Sequence, residues 1–127
     1  MINKKIVIFG GSGFLGSHVA DHLSHIGNKV LIIDKNKPIK LRKNQTFLRA
    51  DITKKINYQL ILKNTYAVFN FAAIADIEKA NEMPISTVET NILSLVKLLK
   101  KCVEYKIKKF ILASTVYVSG DHGGFYK

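Results

Sequence analysis

The apolar run Ile6-Val7-Ile8-Phe9 passes without a break into Gly10-Gly11-Ser12-Gly13-Phe14-Leu15-Gly16, and from there into a segment of helical period. A Gly-x-x-Gly-x-x-Gly spacing in that setting predicts a strand turning sharply into a helix. One glycine permits the turn, the next lets the backbone approach a ligand with no Cβ in the way, and the third lets the helix pack close on the strand. The first N–H groups of a helix have no partner within it and sit at the positive end of its dipole, so such a turn suits a pyrophosphate.

A second element agrees with the first. Asp34 closes the next apolar run, eighteen residues after Gly16, where a carboxylate accepts hydrogen bonds from the ribose hydroxyls of an adenine dinucleotide. The same charge repels a 2′-phosphate, so NAD is expected over NADP. Lys35, Lys37, Lys40, Arg42 and Lys43 follow; they are able to screen a phosphate, but their simpler reading is a solvated loop.

Short apolar runs alternate with longer helical segments along the whole chain, the mark of βαβ units and a parallel sheet. Five runs qualify as buried strands: residues 5–9, 29–33, 46–49, 67–71 and 109–113. The expected fold is a Rossmann-like, doubly wound α/β sheet of five parallel strands in order 3-2-1-4-5, with the ligand at the switch point between the first and fourth strands. Leu15, Val19, Leu23 and Ile26 mark the inward face of the first helix, which Gly27-Asn28 ends. Asp51-Ile52-Thr53 reads as the entrance of a second helix, with Ile56, Leu60 and, as a further candidate, Ile61 facing inward. Residues 72–84 show no period and read as a loop ending at Pro84. A long helix follows, its inward stripe formed by Val88, Ile92, Leu95, Leu99 and either Cys102 or Val103.

With 127 residues, 47% of them hydrophobic, the chain is one ordered domain, 1–127, with room for no second. No apolar run approaches the roughly 18 residues of a membrane span, so no membrane partner is expected. Cys102 is the only cysteine. It reads as a small core residue, and with no disulfide to form, a cytoplasmic setting is expected. Net charge is +11, concentrated in residues 1–63, which hold twelve Lys/Arg against three Asp. Eighteen of the twenty cations are lysine, without the arginine and aromatic interleaving that base contacts use. A solvated surface and no specific nucleic-acid partner are expected. His18, His22 and His25 share one side of the first helix without an accompanying Glu, so no metal site is expected there; His122, among glycines, reads as a loop histidine.

On these residues the chain resembles the extended short-chain dehydrogenase/reductases, in particular the NAD-dependent sugar-nucleotide epimerases and dehydratases, from Lys4 to the last residue. The stretch from Gly10 to His18, with Gly13, Phe14, Leu15 and Gly16 inside it, is similar to that family's glycine loop, and Asp34 to its ribose-binding acid. The resemblance gives Asp51-Ile52 an adenine contact, places Phe71-Ala72-Ala73 along the cofactor, and matches Pro84 followed by Asn91 to the family's spacing; Asn70 stands where many relatives have His. Ile111-Leu112-Ala113-Ser114-Thr115-Val116-Tyr117 resembles the fifth-strand segment, whose hydroxyl falls by position on Thr115, with Ser114 or Ser119 as alternatives; Ser114 is grouped with the cofactor-binding positions. Phe125-Tyr126-Lys127 resembles the opening of the Tyr-x-x-x-Lys motif, which makes Tyr126 the general acid/base. Tyr117 is a competing phenol that reads as strand-end packing.

The resemblance implies the dinucleotide-binding, amino-terminal part of an enzyme that acts on a sugar nucleotide through hydride transfer to NAD, the parent a homodimer and the 127 residues alone inactive. The rival reading is a non-catalytic module that binds or senses NAD(P).

Overall fold

In the computed structural model, which describes residues 2–115, the five apolar runs form one all-parallel sheet in the order β3-β2-β1-β4-β5. The strands are β1 (Lys5–Phe9), β2 (Lys29–Asp34), β3 (Gln45–Arg49), β4 (Ala67–Asn70) and β5 (Lys109–Leu112), each end within one residue of expectation. Tyr117, Ser119, His122 and Tyr126 lie outside the described residues.

Alternation along each strand divides the core between the two sides of the sheet. Val7, Phe9, Ile33 and Val68 meet Ile52, Ile61, Leu62, Leu98 and Cys102 on one side. Ile6, Ile8, Val30, Ile32 and Ala67 meet Ala20 and Leu23 on the other. Burial on both sides is why β1, β2 and β4 read as unbroken apolar runs; β3 and β5, also expected as buried, are the sheet edges and are only partly covered. Ile6, Val7 and Ile8 are wholly enclosed, and truncating such a side chain costs about 1–5 kcal/mol. After β3 the chain crosses to the far side of β1, which opens a crevice at the carboxyl ends of β1 and β4.

The helices differ from the sequence reading in four places, each for a local reason. Helix α1 (Phe14–His25) buries Gly16, Ala20, Leu23 and Ser24, with Val19 packed partly beneath it, while Leu15 and Ile26 face outward. Gly16 is pressed against the turn before it, so the smallest residues set the contact line. Helix α2 (Tyr58–Leu62) starts later than expected, because Asn57 supplies its cap by accepting from the Leu60 N–H at 3.1 Å. Ile61 and Leu62 point inward and Leu60 outward.

Residues expected as loop contain helix α3 (Ile77–Glu82), capped by Asp76, which accepts from the Lys79 N–H at 2.8 Å. It buries no residue and so shows no hydrophobic period. The long helix is three pieces: α4 (Pro84–Val88), a π-helical turn (Glu89–Leu93) and α5 (Ser94–Glu104). The π-turn shifts the phase, so a single period drawn from Val88 to Val103 selects the wrong face. The buried line of α5 is Ser94, Leu98 and Cys102; Val88, Ile92, Leu99 and Val103 are exposed. Among the described residues no helix is long and apolar enough to cross a membrane.

Candidate functional site

The crevice is built around the turn that leaves β1. Gly10 takes a φ of +73°, and a Cβ there would lie 2.5 Å from the Ala72 backbone nitrogen, so only glycine lets the turn pass the end of β4. At Gly16 a Cβ would come within 2.2 Å of the Gly10 carbonyl oxygen, which explains the close seating of α1. Gly13 is different. A Cβ there meets only the Gly10 oxygen, at 3.4 Å, an ordinary contact. The fold therefore does not require this glycine, and the space above it is left for something else. Gly13 is the N-cap of α1 and no side chain caps the helix, so its opening N–H groups are left for a ligand.

Asp34, at the end of β2, ties this turn to its neighbour. One carboxylate oxygen accepts from the Ser12 N–H at 3.1 Å and the other from the Asn36 N–H at 2.9 Å. Across the crevice, Asp51 forms a tight turn, accepting from both the backbone N–H (2.9 Å) and the hydroxyl (2.7 Å) of Thr53. The Thr53 hydroxyl and N–H hold the Asp51 carboxyl below the ordinary aspartate range, against the opposing pull of burial. Asn70, at the end of β4, accepts from the Ala72 N–H at 3.2 Å and so shapes the turn that carries Phe71-Ala72-Ala73.

Two adjoining recesses share a wall of Gly10, Gly13, Phe71, Ala72, Ala73 and Ile74. The first, about 610 Å³, reaches toward Asp34, Asp51 and Ile52; the second, about 540 Å³, reaches toward Phe14, Leu15, Gly16, Asn91, Ser114 and Thr115. Every site residue expected from the sequence and described by the structure lies on one or both. Leu15, exposed on the helix, is a wall of the second recess. Asn91 contributes as a clamp: its amide binds both backbone groups of Ile74 and fixes the loop after β4.

Sequence reading missed Ser12, Thr53, Ile74 and Lys79. Asp-x-Thr is itself an Asx-turn signal and was the available clue to Thr53; Ser12 and Lys79 had none. The Ser12 hydroxyl is buried and without a partner among the described residues. The three histidines of α1 form no metal-binding group, and among the described residues no cluster does; His18 instead packs edge-on against Phe14, ring centroids 5.0 Å apart.

These features fit an adenine dinucleotide: an uncapped helix start for the pyrophosphate, a glycine whose missing Cβ the fold does not need, a carboxylate at the ribose position, and an orphaned hydroxyl in the turn. NAD would be held by the turn from Gly10 to Gly16, by Asp34 and by the Asp51-Ile52 wall.

Comparison with known proteins gives the family. Residues 6–126 match the model of the NAD dependent epimerase/dehydratase family. A dTDP-D-glucose 4,6-dehydratase of Dictyostelium discoideum is 32% identical over 92% of this chain and 30% of its own length. A UDP-glucose 4-epimerase of Klebsiella pneumoniae is 29% identical over 92% of this chain and 93% of its own. Among solved structures, a UDP-N-acetylglucosamine 4-epimerase from Methanobrevibacter ruminantium M1, in complex with UDP-N-acetylmuramic acid, superposes with a TM-score of 0.87 at 33% identity, covering 98% of this chain and 42% of that one. MoeE5 in complex with UDP-glucose and NAD shares the fold with a TM-score of 0.88 at 24% identity, covering 96% and 40%.

Proposed function

Because the chain belongs to the NAD dependent epimerase/dehydratase family, we propose that residues 1–127 are the NAD-holding domain of an enzyme that epimerises or dehydrates a sugar nucleotide. The observation that carries this reading is the glycine turn tied by the Ser12 N–H to Asp34, with the recess bearing Ser114 and Thr115 on its far side.

NAD held by these residues would supply the hydride-accepting and hydride-donating chemistry. The chain's own residues do the rest. The opening N–H groups of α1 neutralise the pyrophosphate, and Asp34 takes the ribose hydroxyls. The Phe71-Ala72-Ala73 wall keeps water from the reacting face. The Thr115 hydroxyl, in the second recess, hydrogen-bonds the reacting sugar oxygen, and the Tyr126 phenol removes or returns that oxygen's proton. NADP is the poorer ligand, because Asp34 opposes a 2′-phosphate.

A second copy of the chain is the natural partner of the outer face of α4, the π-turn and α5. Ile85, Val88, Ile92, Val96, Leu99 and Val103 recur there at steps of three and four, each at least 39% exposed, as in a helix-pairing seam. Val96→Lys is expected to turn a dimer into a monomer in analytical ultracentrifugation.

The reading is tested by titrating NAD and then offering UDP- and dTDP-sugars to the whole parent enzyme. Turnover that falls about 100- to 10,000-fold in Tyr126→Phe, with NAD affinity unchanged, supports it. NAD binding with no turnover on any sugar nucleotide moves the protein to the class of NAD-sensing modules.

A further inference from the structure

The lysines that look scattered in the sequence are gathered by the fold at one end of the sheet. Parallel strands place all five strand starts on one side, opposite the crevice. Lys4 and Lys29 stand at the starts of β1 and β2, joined by a backbone hydrogen bond of 2.9 Å. Lys43 precedes β3, Lys63 ends α2 ahead of β4, and Lys106, Lys108 and Lys109 lead into β5; all seven are exposed. The two carboxylates at this end, Asp21 and Glu104, are engaged by Arg42 at 3.0 Å and Lys101 at 2.6 Å. The other six described acids, from Asp34 to Glu89, all lie at the carboxyl end of β2 or in segments that follow β3 and β4.

This distribution runs opposite to what anionic ligands of the crevice would draw. The crevice end is close to neutral, and the excess positive charge faces away from it, so the cations serve a different anion. We propose that the amino-terminal end of the sheet docks the protein on an anionic lipid surface. Three features select a bilayer over a nucleic acid. The free cations at this end are lysines, and the one arginine at this end, Arg42, is held by Asp21. Of the tyrosines at this end, Tyr66 lies partly buried beneath the Lys4 ammonium at 5.6 Å and Tyr105 is partly buried against the core, so neither presents a stacking platform. Two apolar side chains stand among the lysines: Ile26, at the end of α1, is 38% exposed, and Ile2, packed beside Gly27, is 73% exposed. Basic side chains around a small apolar prominence match the headgroup layer of an anionic membrane. Docked this way, the crevice points into solution, open to soluble ligands. Such surface contact needs no spanning helix, and among the described residues there is none.

The test is co-sedimentation of the protein with phosphatidylcholine vesicles, with and without phosphatidylglycerol. Binding should be at least about tenfold tighter to the anionic vesicles. It should drop by a similar factor in Lys29→Glu/Lys43→Glu/Lys108→Glu, and stay within about twofold in Lys37→Glu/Lys55→Glu/Lys97→Glu, which changes net charge equally but elsewhere. Circular dichroism melting confirms that both variants fold; should either fail to, Lys43→Glu alone is compared with Lys37→Glu. Equal binding to neutral vesicles, equal loss in the two variants, or tighter binding to duplex RNA than to anionic vesicles at the same salt would overturn the proposal.

Discussion

Asn91 holds Ile74 with both edges of its amide: the Ile74 N–H donates to Asn91 Oδ1 at 2.8 Å, and Asn91 Nδ2 donates to the Ile74 carbonyl oxygen at 2.9 Å. The pair joins the π-helical turn to the loop leaving β4, seventeen residues apart in sequence, and so fixes the wall common to both recesses. Asn91→Leu leaves both backbone groups of Ile74 without a partner in a partly buried site, at a cost of about 1–3 kcal/mol. Thermal melting should show the lower stability, and NAD titration a weaker affinity, because the wall is no longer held. Asn91→Asp, which keeps the acceptor and loses the donor, should fall between wild type and Leu. Wild-type NAD affinity in Asn91→Leu would show that the clamp does not position the site.

The proposed role of Asp34 is to set the choice of dinucleotide. Calorimetric titration should give tighter binding of NAD than of NADP, and Asp34→Ala should narrow the gap from both sides. It removes the repulsion toward a 2′-phosphate, and it releases the Ser12 N–H that steadies the glycine turn. Asp34→Asn, neutral but still able to accept from Ser12, should relieve the repulsion with less damage to NAD binding. Equal affinities for the two dinucleotides in the wild type would remove the role assigned here.

Burial pushes the Cys102 thiol up from 9.0 to about 11. Between those values the folded chain keeps a proton that the unfolded chain releases, so this group's contribution to stability is intact below pH 9 and is lost as pH rises toward 11. Chemical denaturation at pH 8 and pH 10 should show a larger loss for the wild type than for Cys102→Ala, the variant serving to cancel the titration of lysines and tyrosines. An equal loss in the two proteins would place the thiol in a wetter environment than its packing against α2 and the sheet implies.

Much of the fold was legible because its strongest signals are local. Ile6 to Phe9 must be a doubly buried strand, and the glycines that follow admit few other geometries, so β1, the turn, α1 and Asp34 follow from the sequence. What escaped was set by contacts distant in sequence or by phase. Leu15, expected at the glycine loop from the resemblance and in the core from the helical period, proves a wall of the crevice and not a core residue, because Gly16 seats against the Gly10 carbonyl and sets the rotation of the helix. The π-turn at Glu89–Leu93 carries no sequence mark that periodicity detects, so the period places Val88, Ile92 and Leu99 in the core; Ser94 and Leu98 occupy it instead, and of the alternatives Cys102 and Val103 it is Cys102 that is buried. Ser94, small and polar, is buried because its hydroxyl donates to the Thr90 carbonyl, a bond no hydrophobic pattern reveals. Helix α3 buries nothing and left no stripe to find.

The central claim is that the space above Gly13 belongs to a dinucleotide. Gly13→Ala separates that claim from the requirements of the fold, since its Cβ meets nothing closer than 3.4 Å, whereas Gly16→Ala would bring a Cβ within 2.2 Å of a backbone oxygen. Gly16→Ala should therefore lose about 3 kcal/mol or more of folding stability. Gly13→Ala should melt within a few degrees of the wild type, yet bind NAD at least about tenfold more weakly, because the added methyl occupies the approach to the pyrophosphate. The decisive measurement is the NAD dissociation constant of Gly13→Ala beside that of the wild type: a loss of affinity at unchanged stability is the predicted result, and undiminished NAD binding would contradict the account.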